Sequence, residues 1–503
     1  MKTIKQPPFD LTERWLDSYP LLQKVIYVLQ THRLEAYLVG GAVRDMLLGR
    51  ESIVDLDFVV PGDGLAVARR VANALDAAYY PLDAERGTGR VVVEKSYLDF
   101  ASLRGATLLD DLADRDFTIN AIALSLVEPF QLIDPLGGQA DLEAGQIRAA
   151  SATAFSHDPV RVLRAVRQAV EFGFSLEAGT EAALHDAVPG LPAISPERQR
   201  DELLKLLNTP APGQAVQMLR RLGVLPHILP EIESLIGVTQ GPPHYLDVFD
   251  HTTAALDAWA RLVQSSFADL PAQLQAAVVQ ELNEPLAGNL TQQTLLPLAL
   301  LLHDTGKPST REPAPDSAAV HFYRHERVGA KITGKVMRRF RFSNQAANFV
   351  ETVVARHMRP LLLMMEWRVS RRAVYRFFRD TAGSGYQAGV AVALHALADH
   401  DATYPPGQGE QELRELREVV YKLVAAYFEQ REQVVEPAPL LTGRDLMDTL
   451  GLPEGRLIGI LLNRLKEAQA TGEVTDRAAA LAFIQADPDF PHGRRPPTDD
   501  HPV

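Results

Sequence analysis

Alternating apolar and polar positions predict short strands in the first third of the chain, where they mix with helices in one α+β domain. The strands are predicted at Ala36–Val39, Ile53–Val60, Gly89–Glu94, Tyr97–Ala101 and Phe130–Ile133. Residues 1–30 are expected to form a helix that leads into this domain. From about Asp158 onward, apolar residues recur almost only at helical spacing, so the rest of the chain is predicted to be helical.

Turn-forming residues divide the chain further. Pro210, Pro212 and Gly213 mark a soft boundary, and the segment at residues 436–439 has the composition of a linker. Five parts are therefore predicted: a mixed domain over 1–150, helices over 151–215, a larger helical domain over 216–435, a helical tail over 436–487, and a Pro-, Asp- and His-rich end over 488–503 that is expected to be disordered.

The run over residues 38–60 carries the most informative chemistry. It predicts a strand, a double glycine, a short helix and a second strand that contains Asp55 and Asp57. Because side chains two apart in a strand point the same way, these carboxylates should project together while Leu56 and Phe58 face the core. Paired carboxylates form a hard-oxygen site suited to Mg²⁺.

The double glycine adds a second feature to this run. Gly40 and Gly41 stand just before a helix start, where backbone N–H groups and the helix dipole attract phosphate. A metal site and a phosphate site in one short unit indicate nucleotidyl transfer.

Composition narrows the class and the location of the protein. The 503-residue chain has no cysteine, which excludes disulfides and thiolate metal sites and fits a reducing cytoplasm. Its first residues lack the apolar core of a signal peptide, and the longest apolar stretch, residues 295–302, is too short to cross a bilayer. We expect a cytoplasmic protein without a membrane partner, and the sequence leaves its oligomeric state open.

The charge of the chain is unevenly distributed. A net charge of −13 argues weakly against nucleic-acid binding. Residues 324–379, however, hold 14 Lys and Arg against three acids. This basic segment either contacts a phosphate backbone or forms solvated helix faces.

Three further motifs follow the carboxylate pair, at residues 114–121, 157–167 and 194–204. The middle motif opens a helix, and Asp158 followed by Pro fits an N-cap and a first helical position. Arg161 and Arg164 are neighbours on one face of that helix. Taken alone, such arginines near an acid are also explained by plain ion pairs.

In this order and spacing the four motifs resemble class II tRNA nucleotidyltransferases, the bacterial CCA-adding enzymes and their poly(A) polymerase relatives. The resemblance runs from Leu38 to about Leu207 and returns in the tail at residues 441–452. It implies a polymerase-beta-like nucleotidyltransferase palm, then an all-α neck that reads the nucleotide and binds RNA, and a small helical tail.

The resemblance also implies roles for individual residues. Asp55 and Asp57 match the catalytic Mg²⁺ ligands. The incoming nucleotide would be held by a larger set of glycines, acids, an amide and arginines, namely Gly40, Gly41, Arg44, Arg115, Asp116, Asn120, Asp158, Arg161, Arg164 and Arg167. Within this set Asp116 and Asn120 would serve sugar recognition or local support.

Side chains alone could select the base. A carboxylate accepts hydrogen bonds and a guanidinium donates them, while cytosine and adenine both offer an amino donor beside a ring-nitrogen acceptor. Asp158 and Arg161 could therefore pair with either base without a nucleic-acid template. Uracil and guanine present the reversed order and would leave buried groups unpaired. The expected substrates are CTP, ATP and an immature tRNA 3′ end.

The sequence departs from the family pattern at three places. His157 stands where a Glu usually precedes the reading Asp, and Gln168 stands where an aromatic residue is common. The family's long flexible loop is nearly absent, since Asp99 leads almost directly into the segment at Leu108. That loop is linked in the family to the switch from C to A addition, so its shortness is compatible with a CC-adding enzyme and a separate partner that adds A. Asp99 itself is either a third metal carboxylate or a surface acid.

The helical domain carries a second constellation. His303 and Asp304 are adjacent, with His251 upstream and Asp399 downstream, and this pattern resembles the HD metal-dependent phosphohydrolase superfamily. The resemblance implies that these four residues bind Mn²⁺, Ni²⁺, Fe²⁺ or Mg²⁺, with Asp401 as a competing last ligand. Three more side chains would face phosphate or a second metal: Lys307, His325 and His357.

The expected function is the addition of C, as CC or as full CCA, to tRNA 3′ ends by Mg²⁺-dependent transfer from CTP and ATP with release of pyrophosphate. Phosphoester hydrolysis at the HD site is a further expected activity. The alternatives are a poly(A) polymerase or A-adding enzyme and, from another class, an HD phosphohydrolase whose first domain binds RNA without transferring nucleotides.

Overall fold

Contacts within the chain divide it into two compact units. The computed structural model describes residues 19–50, 55–128, 130–313, 320–366 and 369–491. The head unit comprises Met1–Glu202 and Met218–Ile228, and the helical unit comprises Leu203–Gln217 and Leu229–Val503. The five-part division expected from the sequence stays a prediction.

The head unit is built on a seven-stranded sheet with the order β3-β4-β5-β2-β1-β6-β7. Its strands are β1 (Tyr37–Val39), β2 (Asp55–Val60), β3 (Ala78–Asp83), β4 (Thr88–Val93), β5 (Ser96–Ser102), β6 (Ala123–Ser125) and β7 (Leu132–Ile133). β2 and β5 pair in parallel, with Asp57 opposite Asp99. The other neighbouring pairs are antiparallel.

Helices connect the strands of this sheet and follow it along the chain. In the first part of the chain they are α1 (Pro20–Thr31), α2 (Gly41–Leu47), α3 (Gly64–Leu75), α4 (Leu108–Ala113), α5 (Gly138–Ala144), α6 (Ala154–His157), α7 (Arg161–Phe172), α8 (Ala178–Ala187), α9 (Pro196–Leu207), α10 (Pro212–Arg221) and α11 (Leu225–Ile228). Two of the later ones, α9 and α10, pass between the head unit and the helical unit. A small parallel pair, β8 (Gln146–Ile147) and β9 (Ser175–Leu176), and two 3₁₀ segments, Thr118–Asn120 and Val188–Ala193, complete the set.

The alternation in β2 produces the expected two-sided strand. Leu56 and Phe58 are buried, whereas Asp55 and Asp57 are exposed. Phe58 stacks on Phe100 of β5, with ring centroids 4.5 Å apart. The apolar side of these strands therefore forms core, and both carboxylates emerge on the other side.

Most predicted strands are confirmed with small shifts at their ends. The strand predicted over Phe130–Ile133 is confined to β7, and the first residues of Ile53–Val60 lie outside the described residues. β3 and β6 were not predicted, because β3 is an exposed edge strand without a buried face and β6 has three residues. The predicted leading helix corresponds to α1, and residues 1–18 lie outside the described part.

The helical unit is almost entirely α-helical, as predicted. Its further helices are α12 (Pro230–Glu233), α13 (Val248–Gln264), α14 (Ala272–Asn283), α15 (Gln292–Leu302), α16 (Lys307–Thr310), α17 (His325–Arg339), α18 (Asn344–Arg356), α19 (Arg359–Met365), α20 (Arg371–Thr381), α21 (Gly389–Asp401), α22 (Glu410–Glu429), α23 (Gly443–Leu450), α24 (Arg456–Thr471) and α25 (Arg477–Gln485), with a π-helical turn at Arg431–Val435. Short hairpins interrupt them: β10 (Pro285–Ala287) with β11 (Leu290–Thr291), β12 (Arg311–Pro313) with β13 (Val320–Phe322), and β14 (Ala382–Gly383) with β15 (Tyr386–Gln387).

Two helices that are apolar nearly all round form the centre of this unit. The apolar run at residues 295–302 belongs to α15 and is buried throughout, and α21 is buried from Gly389 to His400. Apolar residues on every side of a helix are typical of a buried position. In the described part of the chain, no helix has both the length and the apolarity to cross a membrane.

The C-terminal helices pack around a small core of their own. Leu446, Leu461, Leu465 and Ile484 are among its most buried members. Phe490, from the end that was predicted to be disordered, packs against this core, whereas residues 492–503 lie outside the described residues.

The basic segment separates into two groups. Four exposed side chains at a spacing of three to four residues form an outward stripe on α17: Arg327, Lys331, Lys335 and Arg338. Three arginines of α20 converge instead on Glu467 of α24, at 3.2, 2.6 and 3.6 Å: Arg372, Arg376 and Arg379. The second group therefore links two helices, and the stripe is compatible with both interpretations of the sequence.

Close packing of α3 against the sheet generates a stability prediction. A Cβ on Gly64 would lie 2.3 Å from the carbonyl oxygen of Gly87 and 2.7 Å from the backbone nitrogen of Ser102. We expect Gly64→Ala to lower the free energy of unfolding by about 1–3 kcal/mol, because backbone atoms cannot turn aside as a flexible side chain does. Urea unfolding followed by circular dichroism measures this change.

The matched control is Gly459→Ala on α24, where nothing lies within 4 Å of an added Cβ. This variant should be more stable than the parent by about 0.5–1 kcal/mol, since alanine favours the helix. Equal stability of both variants would contradict the packing argument.

Candidate active sites

Asp55 and Asp57 lie side by side on the exposed face of β2. Water reaches the Asp57 carboxylate, but surrounding protein encloses it on several sides, and this burial raises its pKa. The positive charge of Arg115 opposes that rise, and the negative charges of Asp99 and Asp55 add to it. Neighbouring negative charges in an enclosed site repel each other, so a bound cation would stabilise this pair of carboxylates. Their hard oxygens fit a divalent ion.

At Gly40 the backbone comes close to the guanidinium of Arg115 and to the carboxylate of Asp57. Gly40 precedes α2 with a φ of +77°, a conformation that favours glycine. A Cβ at this position would lie 3.1 Å from Nη1 of Arg115 and 3.5 Å from Oδ2 of Asp57. At the next residue, Gly41, a Cβ would lie 3.3 Å from Nη2 of Arg44.

Arg44 of α2 is held from three sides. Its guanidinium pairs with Asp45 at 2.9 Å, donates to Oδ1 of Asn120 at 2.7 Å and lies over the ring of Phe172 at 4.5 Å. Burial lowers the pKa of Arg44, and the charge of Asp45 opposes this. Arg44 is therefore fixed in position by residues of its own unit.

Asn120 connects Arg44 to the next part of the network. Its amide nitrogen donates to Oδ1 of Asp116 and to Oε1 of Gln168, both at 2.9 Å. Gln168, at the position where the family commonly has an aromatic residue, is buried and thus serves hydrogen bonding. The local-support role expected for Asn120 is the one visible in these contacts.

A buried ion pair joins Asp116 to α7. Nε and Nη2 of Arg164 lie 2.8 and 2.7 Å from Oδ2 of Asp116. Burial by itself would raise the pKa of Asp116, but the charge of Arg164 and hydrogen bonds from Asn120, Arg164 and the Phe117 nitrogen hold it at about 2. The plain ion-pair interpretation describes Arg164 here.

Two other arginines of α7 are also committed to protein partners. Arg161 donates to the carbonyl oxygens of Asp114, Arg115 and Ala154 at 2.7, 3.1 and 3.1 Å. Arg167 is held by two acids, Glu202 at 2.5 Å and Glu171 at 2.9 Å.

Asp158 lies just before α7. The helix begins at Arg161, two residues later than the N-cap interpretation predicts, and Asp158 is extended with φ −148° and ψ 90°. Its Oδ1 accepts a long hydrogen bond of 3.4 Å from the Val160 nitrogen. Its Oδ2 pairs with Nη2 of Arg198, from α9, at 2.6 Å.

Six of the predicted site residues open on one cleft of about 1540 Å³. The predicted site residues on its walls are Asp57, Arg115, Asp116, Asp158, Arg161 and Arg164. The cleft thus unites Asp57 of β2 with the motif at 114–121 and with the start of α7. By contrast, the contacts of Arg44, Asn120 and Arg167 lie within the supporting network.

Sequence reasoning gave no role to several residues that shape this cleft. Arg198 and Glu202 belong to the motif at 194–204, so their motif was visible although their partners were not. Asp111 is fully buried and holds Arg115 at 3.0 Å. Its position one helical turn before Arg115 was the available signal.

Asp99 already has a strong partner. Arg90, directly across on β4, binds both of its carboxylate oxygens at 2.7 and 2.6 Å. Asp99 lies beside Asp57 in the sheet register, so its place fits a third carboxylate while its charge is compensated by Arg90. Which of the two expected roles it has stays a prediction.

The Asp116–Arg164 pair generates a pH prediction. The pKa of Asp116 is about 2 in the fold against an ordinary 3.8, so the pair contributes about 2 kcal/mol above pH ~4 and loses it as the pH falls toward ~2. Unfolding of the parent and of Asp116→Asn should be compared from about pH 6 down to about pH 3. The difference in stability should shrink on acidification, and a constant difference would contradict the assignment.

A second cluster lies in the helical unit. Four histidines each hold Nδ1 against a backbone carbonyl oxygen, at 3.2, 2.7, 2.9 and 2.8 Å: His251, His303, His325 and His357. A carbonyl oxygen only accepts, so Nδ1 carries the hydrogen and the lone pair of Nε2 is left for a metal. Such backbone contacts typically orient metal-binding imidazoles.

The predicted HD ligands come together at these Nε2 atoms. Nε2 of His251 lies 2.8 Å from Oδ1 of Asp399, and Nε2 of His303 lies 3.1 Å from Oδ2 of Asp304. Ligand atoms of His251, His303 and Asp304 lie within 4.8 Å of one another. All of these residues are buried.

Orphaned atoms and charges indicate that this centre fits a cation. Nε2 of His303 and Oδ1 of Asp304 are buried without a hydrogen-bond partner in the described part of the chain, while Oδ2 of Asp304 forms an ion pair with Nζ of Lys307. Burial lowers the pKa of His303, but Asp304 and Asp399 outweigh it and raise that pKa to about 10. The position therefore favours positive charge, which a divalent metal on two imidazoles and two carboxylates would supply.

A neighbouring group shares Asp304. Its other members are His325 and His357, whose Nε2 atoms lie 3.2 Å apart. Lys307 reaches Asp304 at 2.6 Å and donates to Oε1 of Gln240 at 2.6 Å. The structure thus gathers all three side chains that were expected to face phosphate or a second metal.

Asp399 and Asp401 occupy different environments on α21. Asp399 faces the histidines, whereas Asp401 is exposed and pairs with Arg261 at 2.6 Å. This geometry favours Asp399 as the last ligand.

Two histidines that the sequence analysis did not consider adjoin the cluster. The ring of His244 meets that of His251 edge-on, with centroids 5.1 Å apart, and His395 meets His303 edge-on at 5.2 Å. Burial lowers the pKa of His395 to about 3 and that of His244 to about 4. His395 stands four residues before Asp399, a spacing that signals a shared helix face.

Family models match three stretches of the chain. The Poly A polymerase head domain matches residues 36–108 and 104–148. The probable RNA- and SrmB-binding site of polymerase A matches residues 173–236, and the HD domain matches residues 276–385.

Two curated relatives match nearly the whole chain. An A-adding tRNA nucleotidyltransferase of Deinococcus radiodurans is 36% identical over 90% of this chain and 95% of its own length. A CC-adding tRNA nucleotidyltransferase of Geobacter sulfurreducens is 33% identical over 93% of this chain and 95% of its own length. A solved CCA-adding enzyme in an apo form shares the fold, with a TM-score of 0.61, 22% identity and 93% coverage of both chains.

Proposed function

The chain belongs to the family of tRNA nucleotidyltransferases, and we propose that it adds C, as CC or as full CCA, to the 3′ ends of tRNA. The observation that carries this proposal is the cleft in which Asp57, Arg115 and the start of α7 face a common space. Its size and its mixed charges suit a nucleoside triphosphate together with an RNA end.

The transfer step follows from the carboxylates of β2 and from the groups on the walls of this cleft. Asp55 and Asp57 hold a divalent metal, which we propose to be Mg²⁺ and which supplies positive charge to the reacting oxygens when bound. Arg115 presents its guanidinium beside Gly40 to the triphosphate. The 3′-oxygen of the RNA bonds to the α-phosphorus while the bond from that phosphorus to the bridging oxygen breaks, so that pyrophosphate leaves.

Base selection rests on Asp158 and Arg161. Asp158 accepts from the amino group of cytosine or adenine, and Arg161 donates to the ring nitrogen. To bind the base, Asp158 releases its ion pair with Arg198, and Arg161 releases its hydrogen bonds to backbone carbonyl oxygens. A base with the reversed order of donor and acceptor restores neither set of bonds and is rejected.

The short connection between β5 and α4 supports CC addition as the specific product, because the chain passes from Ser102 to Leu108 without a long loop. A addition is the second candidate, and the 36% identity to the A-adding relative favours it. The two products are distinguished by which tRNA end serves as the acceptor.

Extension of tRNA transcripts tests the proposal. A tRNA lacking CCA should gain two nucleotides with CTP, and the same two when ATP is also present. An A-adding enzyme would instead extend only a tRNA ending in CC, with ATP alone, and a poly(A) polymerase would give long A tails. Failure of every transcript to grow would overturn the transferase proposal and leave the RNA-binding head as the remaining alternative.

The carboxylate pair is tested by Asp55→Asn with Asp57→Asn. Loss of the metal should reduce incorporation by about 1000-fold or more, measured as labelled product per minute. Asp83→Asn, on the rim of the same cleft, is the control and should keep near-parental rates. Persistent incorporation in the double variant would show that the metal ligands are assigned wrongly.

For the helical unit, we propose a divalent metal at His251, His303, Asp304 and Asp399 that supports phosphoester hydrolysis on RNA 3′ ends or small nucleotides. The buried Nε2 of His303 and Oδ1 of Asp304, which have no hydrogen-bond partner in the described residues, support this proposal. The imidazole-rich donor set favours Mn²⁺, Fe²⁺ or Ni²⁺ over Mg²⁺.

Two aspartates of α21 offer a matched test. Asp399→Asn should abolish the release of phosphate from 3′-phosphorylated tRNA or nucleoside monophosphates in the presence of Mn²⁺. Asp401→Asn, two residues away and paired with Arg261, should leave it intact. Equal activity of both variants would contradict the ligand assignment, while CTP incorporation should be unchanged in either.

A further inference from the structure

His395 is a buried imidazole without a bonding partner. It lies on α21, its side chain has 0% exposure, and neither ring nitrogen has a hydrogen-bond partner in the described part of the chain. Native interiors rarely leave a polar side chain unpaired, and each such group needs a specific explanation, for example an ion. A simple packing role would be served by an apolar ring.

The surroundings of His395 point to the metal centre. Its ring centroid lies 5.2 Å from that of His303 and 5.6 Å from that of His357. These spacings match those between His251 and His303, 5.7 Å, and between His325 and His357, 5.2 Å. His395 therefore adjoins both groups of ligand atoms, one turn before Asp399.

His395 differs from the other four imidazoles because no hydrogen bond in the described part of the chain fixes its ring. Each of the others is locked by a carbonyl oxygen on Nδ1. The nitrogens of His395 lie outside the two groups of ligand atoms within 4.8 Å, and a rotation of its ring toward them breaks no hydrogen bond. Metal binding would give one orphaned nitrogen a partner.

We propose that His395 is a further imidazole ligand of the divalent metal centre in the helical unit. This inference rests on the metal site proposed above for His251, His303, Asp304 and Asp399. It adds to that site a ligand that is not part of the HD pattern. A neutral imidazole binds first-row transition metals well. The ligand turns into place when the cation enters.

Cobalt binding tests this inference without reference to catalysis. The full-length protein carrying Asp55→Asn and Asp57→Asn is the background, so that the head carboxylates contribute little binding. Co²⁺ affinity and the visible absorption spectrum are then compared for this background and for added His395→Phe, which keeps the ring shape without nitrogen. We expect affinity to fall by about 10- to 100-fold and the absorption bands to shift.

The matched control is His400→Phe. His400 lies on the same helix, is similarly buried and also has an orphaned Nε2, but its ring contacts Tyr404. Its variant should bind Co²⁺ like the background. If His395→Phe fails to fold, His395→Gln gives the same comparison with a polar side chain that keeps the volume.

The possible results distinguish the ligand role of His395 from the metal centre itself and from the transferase proposal. Unchanged affinity and spectrum in both His395 variants would overturn the ligand role alone. Equal losses in the His395 and His400 variants would also overturn it, since helix packing would then be the cause. Absence of Co²⁺ binding in the background would overturn the metal centre itself and leave the transferase proposal untouched.

Discussion

The buried ion pair between Asp116 and Arg164 is the contact on which the geometry of the cleft depends. It ties the chain after β5 to the first turn of α7, and Arg161 strengthens the same junction through three carbonyl oxygens. Separating a buried pair leaves an uncompensated charge and is strongly unfavourable. The start of α7 and Arg115, which lies close to Asp57, therefore belong to one rigid piece of structure.

The two centres of the molecule are held rigid by different means. In the head unit, charged partners fix charged side chains, as Asp111 does for Arg115. In the helical unit, backbone carbonyl oxygens fix the imidazoles, as that of Leu300 does for His303, and leave Nε2 of His303 facing Asp304. The first arrangement suits a large anionic substrate that exchanges bonds with its site, and the second suits a small cation that is held permanently.

The spacing of apolar and polar residues predicted those features of the fold that depend only on residues close together in the sequence. The two-residue period of β2 was enough to put Asp55 and Asp57 on one face, and apolarity all round α15 was enough to bury it. The partner of Asp158 could not be predicted, because Arg198 lies 40 residues away and meets it only through the course of α9. Likewise β3 could not be predicted, because it has no buried face and its sequence therefore shows no alternation of apolar and polar residues. Of the two overlooked histidines, His395 had a helical spacing to Asp399, whereas His244 is brought in by a loop.

Gly40 has a consequence for the evolution of the chain. The residue combines a left-handed backbone with a Cβ position that is filled by Arg115 and Asp57. Every amino acid reached from a glycine codon by a single base change carries a Cβ. Each missense mutation at this codon therefore puts a Cβ on a left-handed backbone and in tight contact with Arg115, so substitution of Gly40 is disfavoured on both counts.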